Sequence, residues 1–216
     1  MEEVNAFNRA AEDYDKWFDE HSKWYLSEVE ALKLAVPKTG NGIEIGVGTG
    51  RFARELGITT GVEPAENMAA VATQRGIRVI PGFAEALPVS DMTFDYTVMI
   101  TVDCFLQDIS KAFEEACRIT KPGGAIIIGM IDKSSPLGKK YQELKGNNPF
   151  YRSAHFHIVE EIRKQLETAG FHNFSFWQTL VNINEELIEK PLEGYGNGGF
   201  VVIRAQKRDA KIETVL

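Results

Sequence analysis

Cysteine is nearly missing from this chain of 216 residues, and the two present, Cys104 and Cys117, form neither a C-x-x-C pair nor a zinc spacing. So few thiols exclude a disulfide-stapled scaffold and imply a reduced, cytoplasmic protein. Cys117, close to Phe113 and Ala116 on one helical period, reads as a small apolar core residue. Long apolar runs are missing too. The longest aliphatic stretch, around Ala125 and Ile128, falls far short of the roughly 20 residues that cross a bilayer. The opening Met1-Glu2-Glu3 lacks the basic and apolar regions of a signal peptide. Positive charge is scarce: 24 Lys and Arg stand against 31 Asp and Glu, a formal net charge of −7. That balance argues against a broad phosphate-backbone footprint, and so against nucleic acid as a partner. No carboxylate and histidine set has metal-ligand spacing, and no metal is expected. Internal repeats and low-complexity tracts are also lacking.

What the chain does have is an alternation of strand and helix patterns in a length that suits one domain with a sizeable core. Val4, Phe7, Ala11, Tyr14, Phe18, Tyr25, Val29 and Leu32 recur at helical spacing, which predicts one or two amphipathic helices before Pro37. Strands are predicted at 42–45, 60–63, 77–80, 94–101 and 125–130, with helices at 51–56, 65–75 and 110–119 between them. A late helix at 158–168 stops at Gly170, and two final strands at 174–180 and 199–205 are placed to pair. Strands separated by helices imply a parallel sheet covered on both faces.

The most informative segment is Ile43-Glu44-Ile45-Gly46-Val47-Gly48-Thr49-Gly50. Alternating glycines where an apolar strand breaks into a helix let the backbone turn tightly and approach a ligand, as nucleotide-type cofactors require. The next strand also ends in an acid, Glu63, followed by Pro64. A nicotinamide or flavin fingerprint wants glycine or alanine at the sixth position of the loop, counted from Gly46, and a ribose-binding acid about 20 residues on. Here Arg51 occupies that position and Glu63 comes sooner, so a nicotinamide oxidoreductase is disfavoured on two counts.

With an acid two positions before the glycine loop and a second acid closing strand two, the segment resembles motif I of the class I S-adenosylmethionine-dependent methyltransferases. The resemblance is strongest to the ubiquinone/menaquinone-biosynthesis-like branch. It rests on Gly82-Phe83-Ala84-Glu85-Ala86-Leu87-Pro88, on Phe94-Asp95, on Lys121-Pro122-Gly123-Gly124, and on Tyr14-Asp15-Lys16-Trp17-Phe18 in the opening helices. It implies an α/β, Rossmann-like sheet of seven strands, mostly parallel with the last antiparallel, with helices on both faces and an N-terminal helical cap. The single domain, 1–216, would comprise a cap at 1–38, a cofactor-binding half at 39–131, a lid-like insertion at 132–157, and a C-terminal helix and strand pair at 158–216.

The implied cofactor is S-adenosylmethionine. Gly46, Gly48 and Gly50 would pass under its methionine part with Glu44 near the amino end, and Glu63, beside Pro64, would accept from both ribose hydroxyls; Glu63 as a helix N-terminal charge is the other reading. Met68 would pack on adenine or belong to the core. Where relatives carry an aspartate for the adenine amino group this chain has Phe83, whose ring would stack on the base or fill core, with the amide of Ala84 still on offer. The relatives' paired histidines fall on Cys104 and Phe105, and the N-P-P-Y signature of nucleic-acid and protein-amide methyltransferases is absent.

The implied activity is methyl transfer to a small-molecule acceptor, with a non-catalytic cofactor-binding scaffold or regulatory subunit as the alternative. Thr101, at the end of strand four, would belong to the cofactor side; acceptor-side candidates are Asp103 and Cys104 in the loop that follows, Tyr14 in the cap, and His155 and His157 in the 132–157 segment. The two histidines, two residues apart, would point to opposite sides of a strand. Asp103 reads equally as a helix cap. That segment also carries Tyr141, Phe150 and Tyr151, more than a bare linker needs. A homodimer is compatible with everything above.

Overall fold

The computed structural model describes residues 2–147, 150–182 and 187–209, so parts of the insertion and of the C-terminal segment lie outside the described residues. Helices α1 (Glu2–Arg9), α2 (Ala11–Glu20) and α3 (Ser22–Ala35) form the cap. The chain then runs β1 (Gly42–Ile45), α4 (Arg51–Leu56), β2 (Thr60–Val62), α5 (Glu66–Gln74), β3 (Arg78–Ile80), β4 (Phe94–Ile100), α6 (Ile109–Ile119) and β5 (Thr120–Ile131). After β5 come α7 (Pro136–Leu144), α8 (Val159–Ala169), β6 (Phe171–Thr179), β7 (Leu192–Glu193) and β8 (Phe200–Lys207).

These strands form one sheet of order β3-β2-β1-β4-β5-β8-β6-β7. The first five are parallel, while β8 runs antiparallel to both β5 and β6. The sheet therefore has eight strands where seven are predicted. The extra one is the two-residue β7, which pairs only with Trp177 and Gln178 at the far edge and is too short to leave a period in sequence. The cap likewise breaks into three helices, not one or two, with turns at Ala10 and His21 that neither glycine nor proline announces. β5 begins five residues before the predicted strand. Its Lys121-Pro122-Gly123-Gly124 stretch is the extra length of a bulge, since the pairing with β4 jumps from Phe94↔Thr120 to Tyr96↔Ala125.

Central strands read as continuous apolar runs because both faces are covered. Val98, Ile100 and Ile127 pack with Val29 and Leu32 of cap helix α3 and with Phe52 of α4. Met99, Ile126 and Ile128 point the other way, against α6 and α8 through Phe113, Ala116, Ile162 and Leu166. Strand order reverses between β1 and β4, and in open α/β sheets the crevice beyond the strand ends at such a reversal is where ligands bind.

Candidate active site

The loop after β1 is built by left-handed glycines. Gly46 adopts φ +73 and a Cβ there would come within 2.5 Å of Val102, so only glycine allows the loop to cross so close to the end of β4. At Gly48, φ +54, an added Cβ would find a single neighbour, Tyr14 Cε1 at 3.9 Å, because this edge of the loop faces open space. The amides of Gly46 and Val47 donate to the Val62 carbonyl at 2.8 and 3.0 Å, tying the loop to the end of β2.

That open space is a cavity of about 620 Å³ at the reversal point, within the roughly 300–1,000 Å³ of small-molecule sites. Of the residues named in sequence it gathers Phe7, Tyr14, Gly46, Gly48, Glu63, Pro64, Met68, Phe83, Thr101 and Phe105, and it adds Val102, Leu106, Gln107, Asp108 and Lys111, which sequence did not single out. Glu63 sits at its wall, 8 % exposed, with Oε2 accepting from the Gly48 amide and Oε1 from the Ala65 amide, both at 2.9 Å. These two donors fix the carboxylate and leave its remaining lone pairs for a ligand's hydroxyls. Burial pushes its pKa up against their effect. Met68 is buried, while Phe83 stands half exposed at the cavity wall.

Other candidates take different places. Glu44 is buried beneath the loop, its pKa pushed well above the usual range by burial and by the charge of Glu63, and it accepts from the Ala53 amide in α4. Its Oε2 has no hydrogen-bond partner among the described residues. Gly50, φ +79, starts α4 against Ala72, and Ala84 lies in the core. Asp103 is buried in a short 3₁₀ turn (Asp103–Phe105), where burial lifts its carboxyl to about 7. It lines neither this cavity nor the chamber described next. His155 and His157 occupy non-strand chain and, contrary to the opposed placement predicted from their spacing, both line one separate cavity of about 520 Å³ that shares no lining residue with the first. His157 lies 3.5 Å from Glu161 there.

A narrow inner chamber of about 60 Å³ adjoins the main cavity and shares Tyr14 and Thr101 with it. The cap and the insertion meet over it: Tyr14 is edge-on to Phe18 and to Phe150, and Tyr141 is edge-on to Tyr151. Thr101, between the two spaces, has φ +52, a backbone state that costs a β-branched residue about 1–3 kcal/mol and is held here by the hydrogen bond its amide donates to the Gly129 carbonyl at 2.7 Å. Glu28 of α3 also lines the chamber, a residue that sequence reading passed over; its only signal was a charge on an otherwise inward face of the helix.

Arg51, the residue that breaks the dinucleotide fingerprint, turns away from the loop and grips the cap. Its guanidinium donates to both carboxylate oxygens of Asp15, at 2.9 Å each, and of Asp19, at 2.8 and 2.9 Å. Arg75 adds a 2.6 Å bond to Asp15 and a 2.7 Å bond to the Thr49 carbonyl. These partners hold the Asp15 carboxyl well below its ordinary range.

Among the described residues no group of three or more His, Cys, Asp or Glu is disposed to hold a metal ion, and no helix is long and apolar enough to cross a membrane. Residues 43–128 match the family described as a methyltransferase domain. An uncharacterized protein of Methanocaldococcus jannaschii is 46% identical over 94% of this chain and 100% of its own length. A crystal structure of an S-adenosylmethionine-dependent methyltransferase from Thermotoga maritima, described as a possible histamine N-methyltransferase, superimposes with a TM-score of 0.92 at 45% identity, covering 94% of this chain and 99% of that one. A demethylmenaquinone methyltransferase of Bacillus licheniformis is 26% identical over 80% of this chain and 77% of its length. With the glycine loop, the fixed Glu63 carboxylate and the cavity at the strand-order reversal, these relationships make the chain a member of the class I S-adenosylmethionine-dependent methyltransferases, with S-adenosylmethionine as its cofactor.

Proposed function

We propose that the large cavity holds the cofactor and that the inner aromatic chamber receives the acceptor. The observation that carries this reading is their junction at Tyr14 and Thr101, where the donor's reactive end and an acceptor would meet. Glu63 accepts from the ribose hydroxyls, Pro64, Met68 and Phe83 surround the adenine, and the loop from Gly46 to Gly50 lies under the methionine part. Glu44 contributes from below, by holding the first turn of α4. When bound, the cofactor supplies an electrophilic methyl on a sulfonium, a reaction that asks the protein mainly for alignment and exclusion of water. The aromatic walls perform that exclusion. Burial raises the Tyr14 hydroxyl far above neutrality, so it stays protonated and positions the acceptor instead of acting as a phenolate base.

His155 and His157 take no part in this reading, because they line the separate cavity. Asp103 supports the turn after β4. The chain works as one domain, 1–38 serving as cap, 39–131 as cofactor half, 132–157 as lid and 158–216 as closing segment. The net charge of −7 and the two unpaired thiols support a cytoplasmic protein without a nucleic-acid partner. A homodimer remains an expectation for light scattering to check. The descriptions of the relatives offer two acceptor types, an amine and a quinone ring; a chamber of about 60 Å³ favours the smaller. Calorimetry with S-adenosylhomocysteine tests the whole: tight binding with no response to NAD is expected, and a chain that binds neither would overturn it.

A further inference from the structure

We propose that Glu28 is the acceptor-recognition residue and that the acceptor is an amine arriving as its ammonium, seated against Glu28 within the ring-lined chamber. This deepens the functional reading above and rests on it. Glu28 is 5 % exposed and lines the chamber, yet its carboxylate has no hydrogen-bond or ion-pair partner among the described residues. A buried carboxylate without a partner is a costly arrangement unless a cation or a donor occupies the space before it. The rest of the wall suits a cation. Tyr14, Trp17, Phe18, Tyr141 and Tyr151 present ring surfaces, which attract ammonium groups electrostatically. The volume, about 60 Å³, is several times what one water needs and admits an ammonium head.

Chemistry at the junction then follows. The ammonium passes one N–H proton to a Glu28 oxygen, and the freed lone pair forms the N–C bond to the methyl as the C–S bond breaks and its electron pair stays on sulfur. The products are a methylated ammonium, S-adenosylhomocysteine and a protonated Glu28 that returns its proton to solvent. Burial supports this role, for it lifts the Glu28 carboxyl to about 8, into the range where a carboxylate accepts a proton from an ammonium.

The test uses a panel of alkyl- and arylalkylamines, each paired with the alcohol of the same skeleton. Turnover is followed by S-adenosylhomocysteine release, and binding by calorimetry on the S-adenosylhomocysteine complex. Expected are turnover of amines over their alcohols, a loss of at least tenfold in kcat/KM and in amine affinity for Glu28→Gln, partial recovery in Glu28→Asp, and S-adenosylhomocysteine affinity unchanged within twofold. Tyr141→Leu, which removes one ring and keeps the carboxylate, is expected to weaken amines by a larger factor than their alcohols, so a failure of Glu28→Gln to fold does not shelter the idea. Equal use of alcohols, amines indifferent to Glu28→Gln, or a panel without a bound amine would overturn it. So would a parallel fall in S-adenosylhomocysteine affinity, which would give Glu28 to the cofactor's own ammonium. If the wild type binds no S-adenosylhomocysteine, the parent reading fails first.

Discussion

The two joined spaces of this molecule are made of different materials. The cofactor cavity takes its floor from main chain, with left-handed glycines, strand ends and a carboxylate held by two amides, and side chains such as Met68 and Phe83 complete it. The inner chamber is ringed by side chains from α2, α4 and the insertion around one acid of α3, with Thr101 at its junction. A wall of backbone is fixed by the topology of the sheet and tolerates few substitutions. A wall of side chains is set residue by residue, so it is the wall that can be respecified without disturbing the fold. Conserving the donor while varying the acceptor is then a matter of which wall is rebuilt.

If that division holds, each acid should leave its mark on one side only. The largest effect is expected from pH on the ligand-free protein. Glu28 binds its proton more tightly folded, at about 8, than unfolded, at 4.5. Its stabilising contribution is therefore complete below about pH 4.5 and lost as pH rises through 8. Tyr14 and Tyr151, which sense its charge, are pushed upward and stay neutral over this window, while Asp103 at about 7 adds a loss of the same sign. Thermal melts should show Glu28→Gln level with wild type near pH 4 and more stable at pH 9, by on the order of 3–5 kcal/mol. Parallel melting curves across that range would break the assignment of Glu28 to a closed chamber.

Next in size is Glu63→Ala, expected to weaken S-adenosylhomocysteine binding by about 2 kcal/mol or more, since two hydroxyls lose their acceptor. Undiminished affinity in calorimetry would remove Glu63 from the ribose. Smaller still is Phe83→Leu, expected to cost about 1 kcal/mol of cofactor affinity with the fold intact; identical affinity in wild type, Phe83→Leu and Phe83→Asp would make the ring mere packing. At the bottom of the scale, His155→Ala and His157→Ala should leave turnover within about 0.5 kcal/mol of wild type, and a selective rate loss in either would bring the separate cavity into the chemistry.

The same division governs what could be read from sequence. Glu63, Gly46 and Gly48 were legible because strand, loop and acid are neighbours along the chain, and local patterns report local geometry. The alternation of β1 to β5 with their helices was legible for the same reason. The chamber was only half visible. Tyr14, Tyr141, Phe150 and Tyr151 stood out as aromatics in need of a purpose, but Glu28 is one acid in a helix of mixed residues, and only the packing of α3 against the sheet shows that it faces inward. His155 and His157 misled because alternation holds for strands and their segment is not one. The left-handed backbone at Thr101 had no signal, since β-branched residues ordinarily shun it.

Arg51 carries a consequence for anyone who would convert this protein to another cofactor. Restoring the dinucleotide fingerprint with glycine at 51 would leave Asp15 and Asp19, one turn apart on α2, with Arg75 as the remaining cation on Asp15 and none of these contacts on Asp19. The cap would then be repelled by its own like charges at the place where it is now clamped. Retargeting the loop would therefore demand compensating neutralisation in a helix more than thirty positions upstream, in addition to a new place for the ribose acid, so the change cannot be made at one site.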